Sequence, residues 1–533
     1  MPGSSKIFYN GNIITMEPSL YKEAIMVENG VIRATGSFNE LIKQKTAQTQ
    51  MIDLQNRTMI PAFINPFGSL FAYAESLRYV SLKDASSFDG IVKAMQGHKE
   101  RVGLREGQWL IGYGYDHSRL AEKTHPDKNT LDKISAVNPV LICHESKSKG
   151  AVNSAGLARL GITKETPAPR DGIIGHFVDT GEPNGYLEEA AFTDFILKIP
   201  EPEKEVALDF LQKAQKAFLQ CGITAVREIR MNEKKWELLR EADGQSKLLL
   251  DIFGCTEFSP ALAKAGEAPP APFPESVRLK QGGYFFAVDN SLRKRASWLT
   301  LPYRNASDGY CGYPLLKEEQ MFGLIRRVLT EKAPLAVACS GDAALEHFLT
   351  ALKKASAELE VSPRDSGVTV SAVMARPDQL AELKELGTVP SFAVSGIYYW
   401  GDADLENVGA ERAMSLYPLN SAASRELPFS LHPDFNRLPD MLEAIRCAEG
   451  RVSSGGIVMG EAEKVPPPEA LKAVTLHAAM ACGEGERRGS LKAGKKADLA
   501  VLSGNPLTVS PAEMKEIRVI KTYKDGAEVY SEI

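Results

Sequence analysis

The histidines and cysteines of this 533-residue chain are scattered. No two of the eight histidines lie within five residues of each other, a spacing that does not favour a histidine-based metal site. The seven cysteines form no C-x-x-C pair, and we interpret them as free thiols in a reducing cytoplasm. Five histidines without metal-like spacing are interpreted as structural or exposed: His98, His117, His125, His176 and His347.

The composition is that of an ordinary globular protein, with 44% hydrophobic and 25% charged residues. The net charge of -5 and the absence of a long basic run argue against a nucleic-acid partner. No apolar run approaches the roughly 18 residues that a membrane span needs, and the first residues lack the apolar core of a signal peptide. We therefore expect a cytoplasmic protein whose partner is a small molecule.

Both ends of the chain read as short strands with tight turns. Asn29-Gly30 separates two apolar runs near the start, and Asp525-Gly526 does the same near the end. Such pairs favour type I′ hairpin turns, which need positive φ at both central residues. We expect residues 1–60 and 485–533 to form one discontinuous β-sandwich; two unrelated hairpins are the alternative.

The middle of the chain alternates strands and helices. Helical periodicity appears over residues 203–220, 318–330, 343–354 and 377–386, and β-branched or apolar runs cover 223–226, 335–339 and 368–373. This alternation predicts an α/β fold, a (β/α)8 TIM-like barrel over residues 61–484. The more polar residues 71–200 are expected to be a long insertion. A further helix is predicted over 470–480, with His477 packed or capping.

One pair of charged residues follows the strand predicted at 223–226. In a barrel, the loops after the strands carry functional groups. We therefore expect Arg227 to contact a ligand, together with Glu228. The alternative is an ion pair on the rim of the barrel.

Several motifs in a fixed order carry a family resemblance. They cover residues 108–116, 152–155, 181–189, 309–315, 489–498 and 505–507. Together they resemble the YtcJ-like (Amidohydrolase 3) branch of the amidohydrolase superfamily, which includes N-substituted formamide deformylases. The resemblance implies a (β/α)8 barrel with a discontinuous β-sandwich and an active site at the carboxyl ends of the strands. It also implies hydrolysis of non-peptide C–N bonds at one or two metal ions, usually zinc.

The residues that bind metal in this family are replaced here, although the motifs around them are intact. The replacements are Phe67 and Ser69 on the first strand, Phe285 for a lysine, Ala338 and Ser371 for strand histidines, and Ser148 for another histidine. Phenylalanine and alanine offer no lone pairs, and a neutral serine is a poor zinc ligand. We therefore expect no metal and no other cofactor at the usual centre, and a drier pocket instead.

The resemblance leaves a reduced set of candidate site residues. Asp434 takes the place of the family's catalytic aspartate, with a structural carboxylate as the alternative. His144 matches the first histidine of an H-x-S-G-H run and is expected to act beside Asp434. His432 and Glu189 are expected near the substrate; a supporting position for His432 and a helix-start carboxylate for Glu189 are the alternatives.

Aromatic residues complete the predicted pocket. Tyr399 and Trp400 form an apolar wall or cover the barrel mouth, and Phe67 and Phe285 line its interior. The favoured hypothesis is a metal-independent enzyme that acts on a small, partly apolar molecule, with Asp434 as general acid or base. The alternatives are a non-catalytic binding protein and a metal-dependent hydrolase with substitute ligands. The resemblance leaves a homodimer open.

Overall fold

The computed structural model describes residues 5–199, 202–258, 275–433 and 438–532. The chain divides into two compact units, one of residues 1–71 with 211–533 and the other of residues 72–210. The predicted domain boundaries at residues 60 and 484 stay predictions. None of the described helices has the length and apolar character that crossing a membrane requires.

The two chain ends meet in one eight-stranded sheet of the first unit. Numbered along the chain, its strands are β1 (Ser5–Ile14), β2 (Tyr21–Glu28), β3 (Val31–Gly36), β4 (Thr49–Asp53), β5 (Thr58–Pro61), β20 (Leu499–Leu502), β21 (Val519–Lys524) and β22 (Ala527–Ser531). The order is β22-β21-β20-β5-β1-β2-β3, with β4 also paired to β1. Asn29 and Gly30 have φ of 51° and 80°, which confirms the predicted hairpin turn between β2 and β3.

Eight parallel strands of the first unit form the barrel. They are β6 (Phe63–Gly68), β13 (Ile223–Met231), β14 (Asp251–Glu257), β15 (Leu279–Ala287), β16 (Leu335–Cys339), β17 (Val368–Ala372), β18 (Val389–Phe392) and β19 (Ser430–Leu431). They follow one another in chain order, and the sheet nearly closes where β6 approaches β19. Both faces of such strands are covered, so their sequences are almost continuously apolar, as in Leu335–Cys339. The predicted α/β barrel is confirmed.

Helices follow the barrel strands and turn apolar stripes towards them. The described α-helices of the chain are Phe38–Leu41, Leu70–Ser76, Phe88–Val102, Lys128–Asp132, Ser154–Leu160, Ala190–Ile196, Lys204–Gln220, Glu233–Gly244, Glu318–Glu331, Asp342–Leu359, Pro377–Glu385, Gly396–Val408, Ala410–Ala413, Leu419–Ala423, Met441–Gly450, Pro467–Ala473 and Leu476–Ala481. The prediction of a single helix over 470–480 is wrong. Helix Pro467–Ala473 ends there, Val474 and Thr475 are not helical, and a second helix begins at Leu476. The carbonyl oxygen of Val474 accepts a hydrogen bond from the backbone N–H of Ile64 in β6, 3.2 Å away.

The second unit has its own six-stranded sheet. Its strands are β7 (Tyr79–Ser81), β8 (Leu110–Tyr115), β9 (Val140–His144), β10 (Lys149–Val152), β11 (Gly172–His176) and β12 (Pro183–Glu189). Their order is β11-β12-β10-β9-β8-β7, parallel from β7 to β9 and antiparallel beyond. We call this unit, residues 72–210, the excursion. Parallel pairing of β8 with β9 brings their carboxyl ends to the same edge.

Candidate functional site

A cavity of about 260 Å³ lies at the carboxyl ends of the barrel strands. The described residues that line it belong to the first unit, and we call it the barrel cavity. The residues that line it are Phe67, Ile229, Arg230, Phe285, Ala287, Asp289, Asn290, Ser291, Leu292, Arg293, Lys294, Ala338, Ser340, Ser371, Val373, Ala393, Gly396, Trp400, Asp404 and Tyr417. This position is where TIM-barrel enzymes carry their active sites.

Four of the replaced metal positions meet in the barrel cavity. Phe67, Phe285, Ala338 and Ser371 all line it. The rings of Phe67 and Phe285 pack edge to face with centroids 6.0 Å apart and belong to a small buried apolar cluster. Ala338 and Ser371 are register partners on neighbouring strands. These side chains do not fit the metal centre that the family implies, since only the Ser371 hydroxyl among them offers an oxygen.

His432 packs against this apolar cluster through Phe67. It is fully buried, its ring stacks on Phe67 with centroids 5.2 Å apart, and its Nδ1 lies 2.8 Å from Ser391 Oγ. Burial lowers the pKa of His432 to about 3, so the imidazole is neutral. His432 is not among the residues that line the barrel cavity. Its predicted contact with substrate stays a prediction.

Arg227 and Glu228 lie inside β13, so the expectation that they occupy a loop on the barrel rim is wrong. The strand runs five residues further than the apolar stretch at 223–226 indicates. The buried guanidinium of Arg227 donates to the carbonyl oxygens of Ala481 (2.9 Å) and Gly282 (3.3 Å). These contacts tie strands and helix together, and substrate binding by Arg227 stays a prediction.

Glu228 also has a structural partner. Its carboxylate accepts hydrogen bonds from the backbone N–H groups of Leu70 (2.5 Å) and Phe71 (3.3 Å). These donors belong to the first turn of helix Leu70–Ser76, where a negative charge is favourable. Burial nonetheless raises the pKa of Glu228 to about 7. Glu228 thereby fixes the chain as it leaves β6, directly after Phe67.

Asp289 joins the ends of two barrel strands. Its carboxylate accepts hydrogen bonds from the backbone N–H groups of Ser340 (2.7 Å), Gly341 (2.8 Å) and Trp298 (2.8 Å). Burial raises the pKa of Asp289 to about 7, and these three donors act against that rise. With its oxygens held in this way, Asp289 shapes the wall of the barrel cavity.

Asp404 is a buried carboxyl group of a different kind. It lines the barrel cavity from helix Gly396–Val408, is 3% exposed, and has Oδ1 without a hydrogen-bond partner among the described residues. Burial raises its pKa to about 7, while the positive charge of Arg293 acts against the rise. An acid of this kind can donate or accept a proton near neutral pH.

Basic and aromatic groups surround Asp404. Arg230, Arg293 and Lys294 line the barrel cavity, and the guanidinium of Arg293 lies 4.2 Å from the centre of the Trp400 ring. This distance is that of a cation–π contact. The cavity therefore combines positive charge with an aromatic wall.

Two predicted residues lie elsewhere. Tyr399 is not among the described lining residues, and its hydroxyl donates to Glu443 Oε2 at 2.8 Å, whereas Trp400 lines the barrel cavity. Substrate binding by either residue stays a prediction. Asp434 lies outside the described residues, and its catalytic role stays a prediction.

A cluster of histidines lies in the excursion. Asp116 and His117 directly follow β8, and His144 is the last residue of β9. Tyr115 pairs with His144 across these parallel strands, after a register shift at Gly114, whose φ of 85° suits glycine. The strand pairing therefore brings together residues that are far apart in sequence.

Three side chains of the cluster each offer one atom that can bind a metal ion. His117 Nδ1 lies 3.1 Å from His144 Nε2, and Asp116 Oδ1 lies 3.9 Å from the first and 3.7 Å from the second. Within the part of the chain that the structure describes, this is the one group of three such side chains close enough to hold a metal ion. We call Asp116, His117 and His144 the excursion triad.

Aromatic contacts surround the excursion triad. The ring of His125 stacks on His117 with centroids 4.0 Å apart, and its Nδ1 lies 2.9 Å from the hydroxyl of Tyr115. Burial and the neighbouring imidazoles lower the pKa of His125 to about 4. Burial also lowers the pKa of His144, and hydrogen bonds from Ser118 lower that of Asp116. These shifts favour neutral imidazoles at His125 and His144 and an ionised carboxylate at Asp116.

Glu189 also belongs to the excursion. It is exposed, precedes helix Ala190–Ile196 and has a positive φ of 50°. Its side chain makes no capping hydrogen bond to that helix. The role of Glu189 in substrate binding stays a prediction.

Sequence reasoning selected His144 as a residue that acts beside Asp434, and that role stays a prediction; it did not select its neighbours Asp116 and His117, nor Asp404. The spacing of the histidines gave no signal, but polar residues at the ends of two adjacent parallel strands could have given one. Asp404 carries a weaker signal, because it falls on the buried face of its helix with Ile397, Gly401 and Val408.

Comparison with known proteins agrees with this architecture. Residues 50–530 match the sequence profile of the Amidohydrolase family, Amidohydro_3, and the chain belongs to that family. It is 26% identical to the N-substituted formamide deformylase of Arthrobacter pascens, over 97% of this chain and 96% of that protein. It is 28% identical to YtcJ of Bacillus subtilis (strain 168), over 98% and 99% of the two chains.

A solved structure shows the same fold. An uncharacterized metal-dependent hydrolase from Pyrococcus furiosus superposes with a TM-score of 0.73 at 23% identity, covering 95% of this chain and 100% of that one. The predicted family resemblance and fold class are confirmed.

Proposed function

We propose that the barrel cavity is a metal-independent active site for a small molecule that has an apolar part and an anionic group. One observation carries this proposal. Positions that bind metal in the family are occupied by Phe67, Phe285, Ala338 and Ser371, and these line the same cavity as the buried carboxyl group of Asp404. Function depends on such site residues and not on the fold alone.

The charges of the cavity favour an anionic ligand. Arg230, Arg293 and Lys294 supply three positive charges to its lining. Among the described lining residues the carboxyl groups are those of Asp289 and Asp404, and burial raises the pKa of both to about 7, so near neutral pH they offset these positive charges only in part. An arginine guanidinium suits a carboxylate ligand, since it can donate two parallel hydrogen bonds. The apolar part of the ligand would pack on the aromatic side chains.

Asp404 is proposed as the proton donor or acceptor. Its unpartnered Oδ1 is buried at the cavity, so a ligand group placed there would complete its hydrogen bonding. Proton transfer by a positioned carboxyl group contributes roughly 10²–10⁴-fold to a rate. Asp434 remains the second candidate for this role through the family resemblance. Hydrolysis, elimination, hydration and isomerisation are all reactions that such a group can serve.

The relatives do not supply the reaction directly. One is named a formamide deformylase and one solved neighbour a metal-dependent hydrolase. Among the described residues that line the barrel cavity, no three His, Cys, Asp or Glu side chains come close enough together to hold a metal ion for hydrolysis of an amide. We therefore propose that this chain binds its ligand in the same cavity as its family but acts on it by proton transfer and not through a metal ion.

Ligand binding by the full chain tests the first half of the proposal. Isothermal titration of chelator-treated protein with benzoate and with benzamide compares an aromatic anion with its neutral analogue. We expect benzoate to bind more tightly and Arg293→Gln to remove the difference, whereas Glu406→Gln, on the exposed face of the Asp404 helix, leaves it unchanged. Equal binding of both probes, or binding that requires added zinc, contradicts the proposal.

Turnover tests the second half. A panel of small aromatic carboxylates with hydrolysable or eliminable groups is assayed in the presence of chelator. We expect Asp404→Asn to lower turnover by about 100-fold or more while benzoate binding persists. Binding without turnover across the panel would instead identify a non-catalytic binding site.

A further inference from the structure

We propose that the excursion triad, Asp116, His117 and His144, binds one divalent transition-metal ion of the zinc class. The three residues all belong to the excursion, and the inference does not rest on the proposed function. It uses residues outside the positions at which the family resemblance implies metal ligands.

The distances between the three donor atoms fit one ion. The sides of the triangle formed by Asp116 Oδ1, His117 Nδ1 and His144 Nε2 are 3.1, 3.7 and 3.9 Å. The point equidistant from its corners lies about 2.1 Å from each atom, which is the length of zinc–nitrogen and zinc–oxygen bonds. A small displacement of these side chains is therefore enough to complete the coordination.

The donor set selects the class of ion. Two imidazole nitrogens and one carboxylate oxygen suit zinc, cobalt or nickel, whereas magnesium and calcium prefer sites made of oxygen atoms. Three protein ligands leave a fourth tetrahedral position for water or another ligand, as in zinc sites that perform catalysis. The His117 side chain is 35% exposed, so an ion can reach the site from solvent.

The surrounding residues hold two of the ligands in place. The ring of His117 is stacked on His125, and Tyr115 packs edge-on against His144 with centroids 5.3 Å apart. Ser146 Oγ lies 3.0 Å from His144 Nδ1 and can accept a hydrogen bond from it. A partner of this kind on the second ring nitrogen is usual for a metal-bound histidine, because it fixes the tautomer that exposes Nε2 to the ion.

Without metal, the same geometry is a hydrogen-bonded pair of histidines. The backbone N–H of Ser146 then donates to His144 Nδ1 (3.1 Å), and His144 Nε2–H donates to His117 Nδ1. Metal binding at Nε2 requires the other neutral tautomer of His144: Nε2 loses its proton and binds the ion, and Nδ1 takes up a proton and donates it to Ser146 Oγ in place of accepting from the Ser146 backbone N–H. The metal-free and metal-bound states can therefore be told apart by whether His117 and His144 bind an added metal ion.

Titration of chelator-treated full-length protein with ZnCl₂ tests the site. We expect one zinc ion per chain and at least about 100-fold weaker binding in His117→Ala and in Asp116→Asn. His176→Ala, an exposed histidine of the same unit, serves as the matched control and retains tight binding. No zinc binding by the wild type, or unchanged binding in His117→Ala, overturns the proposal.

A variant that keeps metal binding and adds a new absorption band distinguishes loss of a ligand from loss of the fold. His117→Cys offers a thiolate at the same place, so it should still bind Co²⁺ and add a sulfur-to-cobalt charge-transfer band in the near ultraviolet. Cobalt binding without that band shows that residue 117 is not a ligand and contradicts the site. Benzoate binding at the barrel cavity, measured on His117→Ala, keeps failure of this inference distinct from failure of the proposed function.

Discussion

The barrel cavity and the excursion triad are opposites. The barrel cavity has the position of the family's metal centre but holds Phe67 and Phe285 where ligands are expected. The excursion triad has ligand atoms within 3.1–3.9 Å of one another but follows no metal-binding sequence spacing. The comparison teaches that the place of a site in a fold and the chemistry of that site are separate properties.

The two regions also differ in what their side chains do for stability. Phe67 is fully buried in an apolar cluster, whereas the side chain of His117 is 35% exposed. Residue 67, which the family resemblance implies to be a ligand position, is thus part of the hydrophobic core in this chain. Its substitution should act on folding, while substitution in the excursion triad should act on binding.

The largest expected effect is that of Phe67→Ala. Loss of a buried phenylalanine should lower the free energy of unfolding by about 3–5 kcal/mol, since the cavity left behind adds to the lost transfer energy. In metal-free protein, His117→Ala should change it by only about 0.5 kcal/mol. Urea denaturation of both variants measures this contrast, and equal losses would remove the distinction between the two regions.

The next effect concerns pH and Asp404. Because folding raises its pKa from 3.8 to about 7, the folded chain binds more protons than the unfolded chain between these values. The free energy of unfolding therefore falls as pH rises through this window, by up to about 4 kcal/mol from this group. In Asp404→Asn the free energy of unfolding should fall less over this pH range than in the wild type, and the difference should be up to about 4 kcal/mol. Identical pH profiles in urea denaturation would show that Asp404 is ionised throughout.

The third effect, smaller than those of Phe67→Ala and of Asp404, is stabilisation of the wild type by zinc. At a free zinc concentration 100 times Kd, an ion that binds the folded chain alone adds about 2.7 kcal/mol to the free energy of unfolding. The excursion triad predicts this gain for the wild type and for Phe285→Leu, and at most about 0.4 kcal/mol for His117→Ala, whose Kd is expected to be at least about 100-fold higher. An equal gain in all three proteins would place the ion somewhere else.

The smallest effect sharpens the description of the excursion triad. Ser146→Ala removes the oxygen 3.0 Å from His144 Nδ1 and should weaken zinc binding by about tenfold. Ser148→Ala, whose hydroxyl lies 3.3 Å from that of Ser146, is the matched control and should have less effect. Similar zinc affinities in wild type and Ser146→Ala would show that this serine does not orient the ring.

Local sequence signals were sufficient for much of the fold. Asn29-Gly30 has the positive φ values that its turn type needs, and the strand and helix predicted around residues 318–339 appear as Glu318–Glu331 and Leu335–Cys339. Motif order also located Phe67 and Phe285 at the barrel mouth. Each of these inferences depends on neighbouring residues or on a family pattern.

The remainder depends on tertiary structure. Asp116 and His144 meet because β8 and β9 pair in parallel, and nothing in their separation along the chain encodes that pairing. Arg227 continues a strand and does not start a loop, because β13 stays paired with β14 as far as Met231. The helix predicted over 470–480 breaks where Val474 accepts a hydrogen bond from Ile64.

The central claim is that the excursion triad binds a metal ion and the barrel cavity does not. Anomalous X-ray diffraction at the zinc edge, on crystals of the full chain grown with zinc, tests it most directly. The account predicts a peak between Asp116, His117 and His144 and none beside Phe67 and Phe285. A zinc peak in the barrel cavity, with none in the excursion triad, would contradict it.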